Sequence, residues 1–338
     1  MASSRKQYTY PVKTVNDVKA VIEPEFQPDL FDKQQLYVDL DESRDRTYLN
    51  DLFFDLGYNP AKKTFNVISD YIKIIFSGHR GCGKSAELRR IDNELNQPDR
   101  YLTVFIDLEK EVEVGTFQYA DFFSLLIHKL IEKLEEKKIK AGSDRLMQLA
   151  KQLLPTNIEE VTADKEKLET GLEVNAEAGF KLFGLLGLKT SFKEAFSGEN
   201  EISKTIRREI KQNTLTLVYN LNAELVETKM AIEKSGVGKD ILFIIDGSEK
   251  VKSEVYEELF IANGNIIAQL NISLLTAVPI SAFFQIEKAP YIDLPLFIGK
   301  VDELLYILIL LKYNGVIKIN PLLETYPDFI EWQSRQTK

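Results

Sequence analysis

Cysteine is almost absent from this chain: Cys82 is the only one. A single thiol excludes an internal disulfide framework and fits a reducing, cytoplasmic setting. Histidine is scarce too. His79 and His128 are the only two in 338 residues, too few and too far apart for a histidine-built metal cluster. His128, beside Lys129, reads as a residue at the surface or boundary of a helix. Positive charge is in deficit, with 43 Lys and Arg against 52 Asp and Glu and a net charge of -9. That balance disfavours a nucleic-acid-coating surface, which needs dense cation. Long apolar runs are missing as well. The most apolar stretch, Leu304 to Leu311, falls far short of the roughly 20 residues that span a bilayer and reads as a buried helix. Met1 to Lys6 has no apolar run behind it, so no secretory signal is expected. What remains is an ordinary globular composition, 44% hydrophobic and 28% charged, in a chain long enough for one large domain or two ordinary ones.

Against that plain background one segment stands out. Gly78-His79-Arg80-Gly81-Cys82-Gly83-Lys84-Ser85 completes the pattern G-x-x-x-x-G-K-[ST] of a phosphate-binding loop. Tyr71 to Phe76 before it reads as a buried strand, and Ser85 to Arg90 after it as the start of a helix. A loop so flanked turns backbone N–H groups inward and adds the positive end of the helix dipole. Its glycines let main chain approach phosphate oxygens without a Cβ in the way. Lys84 is expected at the β- and γ-phosphates of a nucleoside triphosphate and the Ser85 hydroxyl on Mg²⁺. Gly78, His79, Arg80, Gly81, Cys82, Gly83, Lys84, Ser85 and Ala86 form the expected nucleotide-contacting set. Cys82 is either a variable position of the motif or, near a helix N-terminus, a thiol of lowered pKa open to oxidation.

A second half of the site is expected at Asp246. Ile241 to Ile245 is a purely apolar run, as in a central strand of a parallel sheet, and it ends in that carboxylate. Placed at the sheet's C-terminal edge, Asp246 would hold Mg²⁺ directly or through water. Gly247 follows it, where many such enzymes carry glutamate. Glu249 is then either the general base for an attacking water or a solvated acid capping the next helix. Thr276, near the end of the strand Ile272 to Val278, either contacts the γ-phosphate or is an ordinary β-branched strand residue. Asp107 closes the strand that starts at Tyr101 and either faces the same cleft or is a loop acid. Lys84, Asp246 and Glu249 are the expected catalytic residues.

The rest of the pattern alternates strands with helices, which predicts an α/β parallel sheet flanked by helices, with ligands at the strand C-termini. An amphipathic helix is expected over 119–138, with Phe122, Leu126, Leu130 and Leu134 recurring at i+4 beside Phe123, Ile127 and Ile131. One long helix is expected from Glu201 to about Lys234, stopped by Gly236 and Gly238. On it, Arg207 and Arg208 are either an arginine finger for an adjacent subunit or part of a solvated face. Two alternating runs near 172–193 predict a β-hairpin whose apolar tip touches a membrane, a partner, a neighbouring subunit or its own domain. The expected organisation is an N-terminal arm over 1–35, with a helix capped at Asp41 or Ser43 beyond it and running through Leu56. The first part of the core covers 36–138 and a helical and β-hairpin insertion 139–235. The second part of the core covers 236–285 and a short C-terminal α/β tail 286–338, with an apolar helix over Val301 to Tyr313 and a strand over Val316 to Ile319.

The loop Gly78–Ser85 followed by Ala86-Glu87-Leu88, the strand ending at Asp246 with Glu249 beyond it, and Thr276 ahead of Pro279 resemble the bacterial AAA-like and STAND-like P-loop ATPases (ASCE division). Many of these are associated with defence against phage. The resemblance covers roughly residues 36–285, by motif order. It implies a five-stranded parallel core, ATP over GTP, Mg²⁺ and a homo-oligomer, and the leading expectation is an oligomeric ATPase whose ATP state organises a partner effector protein. A non-hydrolysing nucleotide-gated scaffold and a DNA-dependent loader are the alternatives. The absence of glutamate after Asp246 points to slow hydrolysis, and the residues after Pro279 offer no place for the helical lid of that family.

Overall fold

The computed structural model describes residues 47–68, 70–79, 82–140, 144–147, 149, 201–247, 251–287 and 289–298. Of these, 47–51, 78–79, 82–90 and 298 belong to one compact unit, and the remainder of 52–77 and 91–297 to a second. The expected arm, the helix caps Asp41 and Ser43, Arg80, Gly81, the hairpin near 172–193, Glu249 and the tail beyond 298 lie outside the described residues.

The described residues open with helix α1 (Thr47–Asp55), then a minimal antiparallel hairpin of β1 (Tyr58–Asn59) and β2 (Thr64–Phe65). β3 (Lys73–Gly78) leads into α2 (Lys84–Leu95), and β4 (Tyr101–Asp107) into the short α3 (Leu108–Glu111). Two long helices follow, α4 (Tyr119–Glu136) and α5 (Glu201–Ser235), and then β5 (Asp240–Asp246). The order finishes with α6 (Ser253–Glu257), a π-helical turn (Glu258–Ala262), α7 (Gly264–Ala268), β6 (Ser273–Ala277), α8 (Ile280–Ile286) and β7 (Leu294–Ile298).

Five of these strands form one all-parallel sheet in the order β4-β5-β6-β3-β7, flanked by helices. The register is continuous: Val104 stands opposite Phe243, Phe243 opposite Leu274, and Leu274 opposite Lys73. Every residue of β3, β5 and β6 is buried. Their sequences (KIIFSG, DILFIID, SLLTA) are accordingly near-continuous apolar runs, as burial on both faces requires. Leu102, Val104 and Ile106 of β4 and Ile241, Phe243 and Ile245 of β5 join one core with the apolar stripes of α4 and α5. The opposite face of β4 meets other partners. Tyr101 donates its hydroxyl to the Leu56 carbonyl at 3.0 Å and packs edge-on against Phe65, and Thr103 bonds Asp92.

The α4 stripe is buried as its i+4 spacing requires. Its start is fixed by a reciprocal cap in which the Gln118 N–H donates to Asp121 and the Gln118 side chain takes the first-turn N–H. α5 has the expected bounds but is not one straight helix. Asn213 is non-helical (φ -121°, ψ 21°), and next to it the Thr214 hydroxyl donates back to the Ile210 carbonyl at 2.6 Å, a bond that bends helices. The second difference is β7. The sheet draws its fifth strand from Leu294–Ile298, past the expected core boundary at 285. Pro295 hid it: proline is confined to edge strands, and β7 is an edge. Among the described residues no helix is long and apolar enough to cross a membrane.

Candidate functional site

β3 carries the chain to the C-terminal edge of the sheet. The Ser77 hydroxyl donates to the Val278 carbonyl at 3.0 Å, fixing the end of β3 against the residue that follows β6. From Gly78 the backbone leaves the sheet and re-enters regular structure at Lys84, the first residue of α2. Within this loop the Cys82 N–H donates to the His79 carbonyl at 3.2 Å, and the Glu87 N–H to the Gly83 carbonyl at 3.0 Å. Gly83 has φ +87°, a left-handed conformation that a side chain would strain.

Lys84 folds back over its own loop. Its Nζ donates to the carbonyls of Gly78 at 3.0 Å and His79 at 3.2 Å, and the side chain is buried. The ammonium is therefore held at the mouth of the strand–loop–helix turn, beside the N-terminus of a 12-residue helix. Such a helix start presents N–H groups that have no intrahelical acceptor. Ser85 is exposed and Ala86 half-buried. This arrangement of a fixed cation, helix N–H groups and a loop without a Cβ at Gly83 can bind an anion with several oxygens. The donor set thus fits a phosphate chain. Cys82 is buried, which removes the exposure that a redox-sensing thiol needs.

The carboxylates collect further along the same edge. Asp246 ends β5 and Asp107 ends β4, and the register sets these two directly opposite each other. Paired residues of a parallel ladder share a face, and neighbouring strands lie about 4.8 Å apart. Asp246 is buried, while Asp107 is half-buried and pairs with the exposed Lys110 at 2.7 Å. The residue after Asp246 explains a departure noted in the sequence. Gly247 has φ +75°, and a Cβ there would stand 3.2 Å from Asp107 Oδ1 and 3.2 Å from the Glu109 N and Cγ atoms. Backbone conformation and close packing against the β4–α3 turn both favour glycine, so a glutamate at this position would be strained. The Asp-Gly pair after an apolar strand was the available sequence signal.

Thr276 is not brought to Asp246. The register pairs it with Ile245, so its side chain lies on the other face of the sheet, buried, with its hydroxyl donating to the Ala277 carbonyl. Arg207 is corrected outright. Its guanidinium is buried against Asp121, with Nε to Oδ1 and Nη2 to Oδ2 both 2.8 Å, so it is no finger for another subunit. Arg208 is exposed. His128 is half-buried in the middle of α4, near Glu132, where burial pushes its pKa down. Among the described residues no group of three or more His, Cys, Asp or Glu comes together to hold a metal ion. Magnesium needs no such cage, since one or two carboxylates with substrate phosphates and water suffice.

No protein-family model matches the chain, and no curated protein matches it in sequence.

Proposed function

We propose that this chain binds a nucleoside triphosphate, ATP by its resemblance, with Mg²⁺, and hydrolyses it slowly to organise a partner protein. The observation that carries this reading is the Lys84 ammonium held on the Gly78 and His79 carbonyls at the start of α2. Those weak neutral acceptors are the ones that phosphate oxygens would replace, turning neutral hydrogen bonds into charge-assisted ones. In this reading Lys84 and the loop amides hold the phosphates, the Ser85 hydroxyl and the Asp246 carboxylate face Mg²⁺, and Glu249 orients water. One strand, β6, separates β3 from β5, which leaves about 10 Å between the ends of those two strands.

The test is calorimetric titration of ATP with Mg²⁺ into the wild-type chain and Lys84→Ala. Loss of hydrogen bonds from a charged group should weaken binding about 10–100-fold. Unchanged affinity would remove the reading.

A nucleotide-gated scaffold without turnover is the second reading, favoured by the left-handed Gly247 that denies a carboxylate the position next to Asp246. Phosphate release by the wild type and by Glu249→Gln separates the two. Turnover that falls in the variant supports an enzyme. Tight binding with negligible release in both supports the scaffold. An anti-phage role rests on the resemblance alone.

A further inference from the structure

Asp246 carries one carboxylate, and the proposed function uses it on Mg²⁺. Hydrolysis also calls for a group that takes a proton from water. The residue after Asp246 is Gly247, which has no side chain to offer. A carboxylate reaches the same place from the neighbouring strand. A Cβ at Gly247 would stand 3.2 Å from Asp107 Oδ1. The space into which a side chain at 247 would start is therefore held by the carboxylate of Asp107.

The two strand ends match. β4 closes on Phe105-Ile106-Asp107 and β5 on Ile244-Ile245-Asp246, each residue opposite its counterpart. Asp107 is also not engaged by the helix it precedes. It occupies the N-cap of α3, where an aspartate ordinarily accepts a first-turn N–H, yet its side chain makes no cap bond. Its Oδ2 meets Lys110 at 2.7 Å, but the Lys110 side chain is 73% exposed, and surface pairs of this kind contribute little. Oδ1 is the oxygen on the Gly247 side. The Asp107 side chain is 24% exposed, packed at the strand edge and still open to solvent for proton exchange.

We infer that Asp107 is the general base of this chain, a role that rests on the nucleotide reading above. In the step it serves, the oxygen of a water that Glu249 orients bonds to the γ-phosphorus of ATP. The bond from that phosphorus to the β–γ bridging oxygen breaks, and ADP leaves with its electron pair. The proton lost by the water goes to Asp107 Oδ1 and from there to solvent. Asp246 and Asp107, on adjacent strands, thus divide the roles that consecutive Asp and Glu hold in many P-loop ATPases. Gly247 then makes room for a base instead of marking the loss of one.

The test is single-turnover phosphate release from ATP with Mg²⁺, beside calorimetric ATP binding, for the full-length wild type, Asp107→Asn, Asp107→Ser and Lys110→Met. Asn and Ser cap helices about as well as Asp, so neither should disturb α3. Both should slow phosphate release at least about 100-fold, as loss of a general base does, with ATP affinity and thermal unfolding unchanged. Lys110→Met removes the ion pair, keeps the carboxylate and should stay within about fivefold of the wild-type rate. A wild-type rate in both Asp107 variants overturns the inference and leaves nucleotide binding standing. So does equal slowing by Lys110→Met, which would assign the effect to the ion pair. A wild type that binds ATP and releases no phosphate overturns it in favour of the scaffold. Failure of the nucleotide reading has a different signature: ATP affinity is then absent from the wild type or untouched by Lys84→Ala, and the assignment of Asp107 falls with it.

Discussion

Arg207 and Asp121 close a bidentate ion pair in which both oxygens of one carboxylate meet two nitrogens of one guanidinium, each at 2.8 Å. A third bond runs from Nη2 to the Thr116 carbonyl at 3.2 Å. Asp121 also accepts the Gln118 N–H, so one carboxylate both starts α4 and ties it to α5. Removing either partner strands a buried charge. Arg207→Ala and Asp121→Ala should each destabilise the fold by about 3–5 kcal/mol in urea unfolding. The double change Arg207→Met with Asp121→Leu should cost clearly less than the sum, because no charge is left unpaired. Additive losses would show that the pair is not coupled.

Lys73 sets an alkaline pH dependence. It is buried in β3, with Nζ donating to the carbonyls of Tyr71, Leu270 and Ile272 at 2.9, 3.1 and 2.9 Å. Burial, with Lys229 adding to it and Asp293 opposing, pushes its pKa down from 10.5 to about 8. Between those values the unfolded chain keeps a proton that the folded chain has released, so this group's contribution to stability rises with pH. That contribution is present above pH 10.5 and lost as pH falls through about 8. Its slope is at most ~1.4 kcal/mol per pH unit. Stability curves of the wild type and Lys73→Met should differ in slope across this window; parallel curves would contradict the account.

Tyr58 acts in the opposite direction. Burial first, then its hydrogen bond to Glu94 at 2.5 Å, pushes the phenol up to about 12 from 10.0. A raised pKa contributes stability below pH 10.0, which is lost as pH rises through about 12. Tyr58→Phe should therefore be less stable at neutral pH by about 1 kcal/mol, the net worth of one hydrogen bond. It should also decline less steeply above pH 10, as followed by circular dichroism.

Gly247→Glu tests the acidic edge. It supplies the carboxylate that many P-loop ATPases carry after the strand aspartate, but at φ +75° and against Asp107 and Glu109. The strained backbone should cost about 1–3 kcal/mol in thermal unfolding. Faster phosphate release from this variant at unchanged stability would contradict the packing described here.

Asp246→Asn separates metal from nucleotide under the proposed function. Mg²⁺ affinity in the presence of ATP should fall about 10–100-fold, while metal-free ATP binding is kept. Mg²⁺ titration of a fluorescent ATP analogue bound to the two proteins reads the difference. Equal Mg²⁺ dependence would remove Asp246 from the metal site.

The amino-acid sequence by itself determined strands β3 to β6 and helices α2, α4 and α5, in their order, because local periodicity and burial pattern suffice for those. The run DILFIID is a strand buried on both faces, the i+4 apolar stripe of α4 is a helix packed on one side, and the loop from Gly78 to Ser85 leads from a strand into a helix. Asp246 at a strand end was legible for the same reason. Tertiary structure decided which residues share a place. Strand register put Asp107 opposite Asp246 and turned Thr276 to the other face, and neither follows from distance along the chain. Burial decided Arg207, whose charge suits a solvated face until Asp121, 86 residues away, is packed against it. β7 was missed because Pro295 argues locally against a strand, and only its place at the sheet edge makes it acceptable. Local signals fix what a segment becomes; pairing across the sheet and helix packing fix which groups can act together.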